Sequence, residues 1–336
     1  MSKNKYSILV TGGAGYIGSV LCPRLISLGH DVTVLDTMFF GNNFGSELNS
    51  NSRFSIVEGD IRNYCLIDQV LRAGKFDRVI HLAAISNDPC SDLDEELTTS
   101  VNLEATNNLM HAAKKHGIKR FIYASSASVY GIKDTKDVNE TLLLEPITLY
   151  AKYKARGEVI LNNLIDDQFE GVSVRAATVC GFSPRLRLDL TVNIFTYQAV
   201  CEGKVRVFGG SQMRPNIHIQ DLVEFYVSLL DAPNVSGQAY NVSHSNSSVK
   251  ELAELAVKVT DQEASLEVEE SNDNRSYHLS SERAQRELGF FPKFTIEDAI
   301  ASVEDALKSR IRIPDPTAKV YRNVQYMCEN LGAWKI

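Results

Sequence analysis

Residues Thr11-Gly12-Gly13-Ala14-Gly15-Tyr16-Ile17-Gly18 decide the fold. They follow a short apolar run, Ser7 to Val10, and open a segment of helical periodicity from Gly15 to Leu28. A β-branched apolar run from Val32 to Asp36 comes next, so strand, glycine turn, helix and strand fit within the roughly thirty residues of a βαβ unit. Glycines at such a turn let the backbone bend tightly and approach a pyrophosphate, and the helix N-terminus offers unpaired N–H groups and positive dipole. Glycine clusters also make plain turns; here the strand before and the helix after favour dinucleotide binding. Asp36 ends the second strand, eighteen residues after Gly18. A carboxylate there can accept both hydroxyls of an adenosine ribose and repels a 2′-phosphate, which favours NAD over NADP. Alternatively, Asp36 only turns the chain.

The alternation continues downstream. Strand-like runs at Phe54 to Glu58, Arg78 to Leu82 and Arg120 to Ala124 are separated by helical segments near Tyr64 to Ala73 and Asp94 to His116. Strands separated by helices imply parallel pairing, so the expected fold is α/β, a Rossmann doubly wound parallel sheet. A helix from Leu149 to Asp166 and a strand from Ser173 to Ala177 extend it. Residues 1–178 are therefore expected to form the nucleotide-binding domain. The Pro- and Arg-bearing stretch from Gly181 to Asn216 and four further helices suggest that residues 179–336 form mainly a smaller C-terminal substrate-binding lobe over the carboxyl ends of the strands, with some chain returning to the sheet. The tail from Arg310 to Ile336 reads only as surface packing.

Composition narrows the class. The 336 residues hold 35 Lys+Arg against 42 Asp+Glu, a net charge of −7, with 44% hydrophobic residues. These are globular values, and the acidic balance offers no global field for nucleic acid or an anionic membrane. No run reaches the roughly 18 apolar residues of a membrane span, so a soluble, cytoplasmic protein is expected. Cys22, Cys65, Cys90, Cys180, Cys201 and Cys328 show no paired spacing and read as reduced thiols. The seven histidines are dispersed, so no metal site is expected.

The second informative region lies further on. Tyr150 and Lys154 stand four apart at the start of a helix and so share one face. An ammonium beside a phenol favours the phenolate, which would let the tyrosine exchange a proton with a sugar hydroxyl. The pair also fits an ordinary amphipathic helix, with Tyr packed and Lys reaching for solvent. The stretch Ser125-Ser126-Ala127-Ser128-Val129-Tyr130-Gly131 ends the preceding strand and can bring a hydroxyl to the same point. Asp60-Ile61, after the third strand, could meet an adenine.

In this order the motifs resemble those of the extended short-chain dehydrogenase/reductase family, the nucleotide-sugar epimerases and dehydratases. The matching stretches are TGGAGYIG at 11–18, Asp36, GDIR at 59–62, HLAA at 81–84, Asn102, SSASVYG at 125–131, YAKYK at 150–154 and RPNIHIQD at 214–221. The resemblance implies NAD held by Gly12, Gly15, Tyr16, Ile17, Gly18, Asp36, Asp60, Ile61, Leu82, Ala83, Ala84 and Asn102. It implies Tyr150 as acid/base, Ser126 bonded to the same substrate oxygen, and Lys154 on the nicotinamide ribose and tuning Tyr150. On the substrate side it points to Ser86, Asn87, Asn193, Arg214 and Arg275, with Arg187 and Arg185 as further phosphate or sugar contacts. The expected partners are a nucleotide-diphosphate sugar and a second copy of the chain, because the helices near 94–116 and 149–166 lie where this family builds a dimer.

Two departures refine the resemblance. Ala127 and Ser128 stand where sugar 4,6-dehydratases carry an acidic pair, so dehydration is not expected. Thr178 replaces the usual Asn of an R-x-x-N motif, and the stretch from Ala177 to Tyr197 resembles dehydrogenases acting at C4 of GDP-heptoses in surface-polysaccharide pathways. The leading expectation is an NAD-dependent nucleotide-sugar epimerase working through a transient keto sugar, with C4 the carbon oxidised. Alternatives are a 4-dehydrogenase or 4-ketoreductase with net redox turnover, and a dinucleotide-binding regulator without turnover; Ser126, Tyr150 and Lys154 together argue against the last.

Overall fold

The computed structural model describes residues 4–133, 135–271, 276–309 and 311–334. Strands β1 (Ser7–Thr11), β2 (Asp31–Asp36), β3 (Phe54–Glu58), β4 (Arg78–His81), β5 (Arg120–Ser126) and β6 (Glu170–Ala176) follow one another along the chain. They pair in the order 3-2-1-4-5-6, all parallel. The order reverses between β1 and β4, which opens the crevice where doubly wound sheets bind ligands. Helices α1 (Gly18–Ser27), α2 (Tyr64–Gly74), α3 (Thr106–Lys115) and α4 (Leu149–Leu164) cover the two faces. Alternation along β1 sends Ile8 and Val10 into the core beneath α1 and Leu9 into the core beneath α2 and α3, all fully buried.

Several later strands are not named in the sequence reading. After β7 (Thr178–Cys180), β8 (Lys204–Phe208) and β9 (Met213–His218), strand β10 (Gln238–Val242) returns to the main sheet beside β6 as a seventh parallel strand. β11 (Ser245–Ser248) joins β9 and β7 in a small sheet, and β12 (Ser265–Glu269) pairs with β8. The expected long helix over 94–116 is present as one continuous helical run that widens in its middle. A helix at Glu95–Thr99 runs through a π-helical segment, Ser100–Ala105, into α3.

Beyond the sheet, α5 (Thr191–Tyr197), α7 (Val249–Thr260) and α8 (Ile296–Lys308) pack together through Val192, Phe195, Leu252, Ala256 and Ile300. α6 (Ile219–Ser228), between α5 and α7 in the chain, instead packs against α1. A final cluster of Tyr16, Leu186, Leu188, Ile219, Val303 and Leu307 joins the glycine turn to this lobe. α9 (Asn323–Asn330) begins close to the loop after β4. No helix is long and apolar enough to cross a membrane among the described residues.

Candidate active site

The glycine turn is set by contacts that leave no room for side chains. Gly12 has φ of 70°, and a Cβ on it would lie 2.5 Å from the backbone nitrogen of Ala83. A Cβ on Gly18 would lie 2.3 Å from the carbonyl oxygen of Gly13. The turn is thus pressed against the end of β4 while α1 points its N-terminus into the cleft, which fits a pyrophosphate cradle. Asp36 stands beside it. Its carboxylate accepts from Ala14 N–H at 3.0 Å and Met38 N–H at 2.9 Å, with lone pairs left for ribose hydroxyls. Burial pushes the Asp36 carboxyl upward, and these two bonds oppose the shift.

One cleft of about 500 Å³ runs from this turn across the carboxyl ends of the strands, a volume in the range of small-molecule sites. Among the expected residues, Gly12, Gly15, Tyr16, Ile17, Gly18, Asp36, Asp60, Ile61, Leu82, Ala83 and Ala84 line it at the nucleotide end. Ser86, Asn87, Ser126, Tyr150, Lys154, Arg187 and Arg214 line it further along. Asp60 is gripped by Arg62, whose Nη2 lies 2.7 Å from it.

Two expected contacts lie elsewhere. Asn102 sits in the π-helical segment and clamps Ile85, accepting from its N–H at 2.8 Å and donating to its carbonyl at 2.9 Å. Asn193 is fully buried; it accepts from Gly181 N–H and donates to Tyr16 Oη and the Arg187 carbonyl. Neither lines the cleft. Each spends its amide on shaping a loop that does, and sequence spacing does not separate these two roles. Arg275 lies outside the described residues.

At the other end, Thr148 caps α4 by accepting from Ala151 N–H at 3.2 Å and donates to Asp88 Oδ1 at 2.6 Å. This places Tyr150 one residue into the helix with Lys154 one turn later. Ser126 accepts from both the N–H and the hydroxyl of Ser128, at 3.2 and 3.0 Å, so its own proton is left for another acceptor. Lys154 is 4% exposed and donates to the Ala124 carbonyl at 2.6 Å, with its Nζ 5.6 Å from the centre of the Tyr150 ring.

The expected lowering of the Tyr150 pKa is reversed. Burial and the charge of Asp88 push it up to about 12, against the Ser126 bond and Arg187. Burial also pulls Lys154 down to about 8. Desolvation therefore outweighs the pairing of the two groups. Asp88→Asn keeps an acceptor for Thr148 but removes the charge, so the Tyr150 pKa falls. The rise of kcat/KM with pH in the direction where Tyr150 acts as base should move to lower pH; a profile that stays put or moves up would contradict this.

A buried ion pair braces the same helix. Glu158, one turn beyond Lys154, accepts from Ser125 Oγ and is held by Arg175, whose Nη2 lies 2.6 Å away. Arg175 continues to Tyr130 Oη at 2.7 Å, and Tyr130 donates to Asn241 Oδ1 at 2.8 Å. The chain of bonds ties α4 to β5, β6 and β10. Arg175→Met should lower stability by about 3 to 5 kcal/mol, because it strands the Glu158 carboxylate. Chemical denaturation checks this, and a loss under 1 kcal/mol (roughly the worth of a surface pair) would contradict it.

The cleft also holds residues that no local motif marks. Phe39, Phe40, Asp88, Asp189, Tyr226, Tyr277 and Asn323 line it. Asn323 comes from the tail expected to be surface packing.

The sequence profile of the NAD dependent epimerase/dehydratase family matches residues 8–243. A UDP-glucose 4-epimerase of Mycolicibacterium smegmatis is 31% identical over 314 residues, covering 90% of this chain and 98% of that protein. One from Corynebacterium glutamicum is 29% identical over 318 residues, covering 89% and 94%. Among solved structures, the UDP-glucuronic acid 4-epimerase from Bacillus cereus, in complex with UDP-glucuronic acid and NAD, superposes with a TM-score of 0.81 at 27% identity, covering 91% of this chain and 99% of that one. The profile match over most of the chain and the 31% identical relative show that the chain belongs to the NAD-dependent epimerase/dehydratase family, and its cofactor is NAD.

Proposed function

We propose that the protein epimerises a nucleotide-diphosphate sugar at C4 through a transient keto sugar. The observation that carries this reading is the placement of Ser126, Tyr150 and Lys154 together in the cleft that begins at the glycine turn. NAD held by the Gly12–Gly18 turn and Asp36 would supply a reversible hydride acceptor for the sugar carbon. Tyr150 receives the proton of the C4 hydroxyl on oxidation and returns it on reduction. Ser126 donates to the same oxygen and holds it in line. Arg187 is a cation that favours the phenolate, and Lys154, one turn along the helix from Tyr150, is fixed on the Ala124 carbonyl. Ala127 and Ser128 supply no acid–base pair, so water is not expelled from the sugar.

Arg214, half-buried at the far end of the cleft beside Tyr277, is suited to the sugar-nucleotide diphosphate. We assign the enzyme to the cytoplasm and to a homodimer across α3 and α4, where Val159 stands 45% exposed. A monomeric mass by light scattering would reject the dimer. Incubation with UDP-, GDP-, CDP- and dTDP-sugars without added cofactor, followed by NMR, tests the reaction. An epimer of one of these sugars supports it; net formation of a keto sugar and NADH would instead assign a dehydrogenase.

A further inference from the structure

We propose that Arg185, positioned by Asn323 of the C-terminal segment, is the cation that receives the diphosphate of the dinucleotide. The proposal rests on the NAD-dependent reading and extends it to residues outside the glycine turn.

Arg185 is 3% exposed yet lines the cleft. Its Nη2 donates to Asn323 Oδ1 at 2.5 Å and its Nη1 to the Leu186 carbonyl at 2.8 Å, while the guanidinium lies 3.9 Å from the centre of the Phe40 ring. A guanidinium has five N–H donors, so these two bonds leave donors for a ligand. Among the described residues no carboxylate forms an ion pair with it: nearby Asp189 is taken by Arg187, with both of its oxygens at 3.0 Å. Burial and the charge of Arg187 both act against the cation. An unpaired buried guanidinium held by neutral partners is costly, and an anion placed before it removes that cost.

Position identifies the anion. The backbone N–H of Arg185 donates to Ser19 Oγ at 3.4 Å, and Ser183 Oγ donates to the Tyr16 carbonyl at 2.7 Å, so the Arg185 loop is strapped to the glycine turn and the start of α1. Phe40 follows Asp36 on the ribose side. Arg185 and Asp36 also lie close enough to act on each other electrostatically. Asn323 fixes the geometry from the other side, donating through Nδ2 to Ser86 Oγ at 3.4 Å and through its backbone N–H to Asp189 Oδ2 at 3.2 Å. Tyr326, one turn along α9, packs its ring 5.5 Å from Phe40. The C-terminal segment thereby sets the rotamer of a cofactor-binding arginine.

The test is direct NAD titration of stripped protein by calorimetry, with thermal melting and sugar-nucleotide KM at saturating NAD, for wild type, Arg185→Gln, Arg185→Lys and Asn323→Ala. Arg185→Gln should weaken NAD roughly ten- to a hundredfold, the worth of a charge-assisted bond, with Arg185→Lys and Asn323→Ala in between. The melting temperature of the stripped Arg185→Gln protein should not fall, whereas the NAD-induced rise should shrink. A purely structural arginine would lower the stripped melting temperature instead. Unchanged NAD affinity with raised sugar-nucleotide KM would assign the cation to the substrate diphosphate and overturn the proposal, as would no change in either. If wild type itself fails to bind NAD, the underlying reading fails rather than this one.

Discussion

Tyr150→Phe should lower the epimerisation rate by roughly a thousandfold and leave bound NAD in place. Phenylalanine keeps the ring that lines the cleft and removes the phenol hydroxyl there. Oxidising a secondary alcohol requires the hydroxyl proton to leave as the C–H bond breaks. Without Tyr150, the Ser126 and Ser128 hydroxyls remain, and an aliphatic hydroxyl is far too weak a base. Rate by NMR and NAD content by extraction together check the prediction. A variant that keeps a tenth of the rate would place the proton transfer on another group.

Gly12→Ala should yield protein that folds but carries no NAD. The new Cβ would sit 2.5 and 2.6 Å from the backbone nitrogen and Cα of Ala83, and backbone cannot swing aside as a side chain can. The turn must lift from β4, which moves its N–H groups away from where a pyrophosphate would lie. Positive φ adds about 1 kcal/mol of strain on its own. Gly117→Ala separates the two effects, since Gly117 also has positive φ, 77°, but nothing within 4 Å of its added Cβ. That control should lose a similar small stability and retain the cofactor. NAD bound at the wild-type level in Gly12→Ala would contradict the cradle assignment.

Local signals made the nucleotide half legible. The turn from Thr11 to Gly18, the strands beside it and Asp36 are all decided by neighbours in sequence, and their boundaries agree with the structure to within a few residues. β10 was not legible, because Gln238-Ala239-Tyr240-Asn241-Val242 carries polar residues whose partners, such as Tyr130 for Asn241, lie about a hundred positions away. Asn102 and Asn193 show the same limit within the site. Both stand in stretches that point to the cleft, yet burial turns their amides inward to Ile85 and to Tyr16. The motif Tyr150 to Lys154 located its two groups but not their protonation, which depends on how much water the surrounding chain excludes. Asn323 had no signal, since its importance comes from where the tail docks.

The central claim is transient oxidation and return at a single sugar carbon. It is tested most directly by supplying the enzyme's nucleotide sugar with deuterium at C4, without added NAD, and following the product by NMR and NADH by absorbance. The account predicts an epimer that keeps its deuterium at C4, with no net NADH. Deuterium lost to solvent, or NADH accumulating with keto sugar, would contradict it.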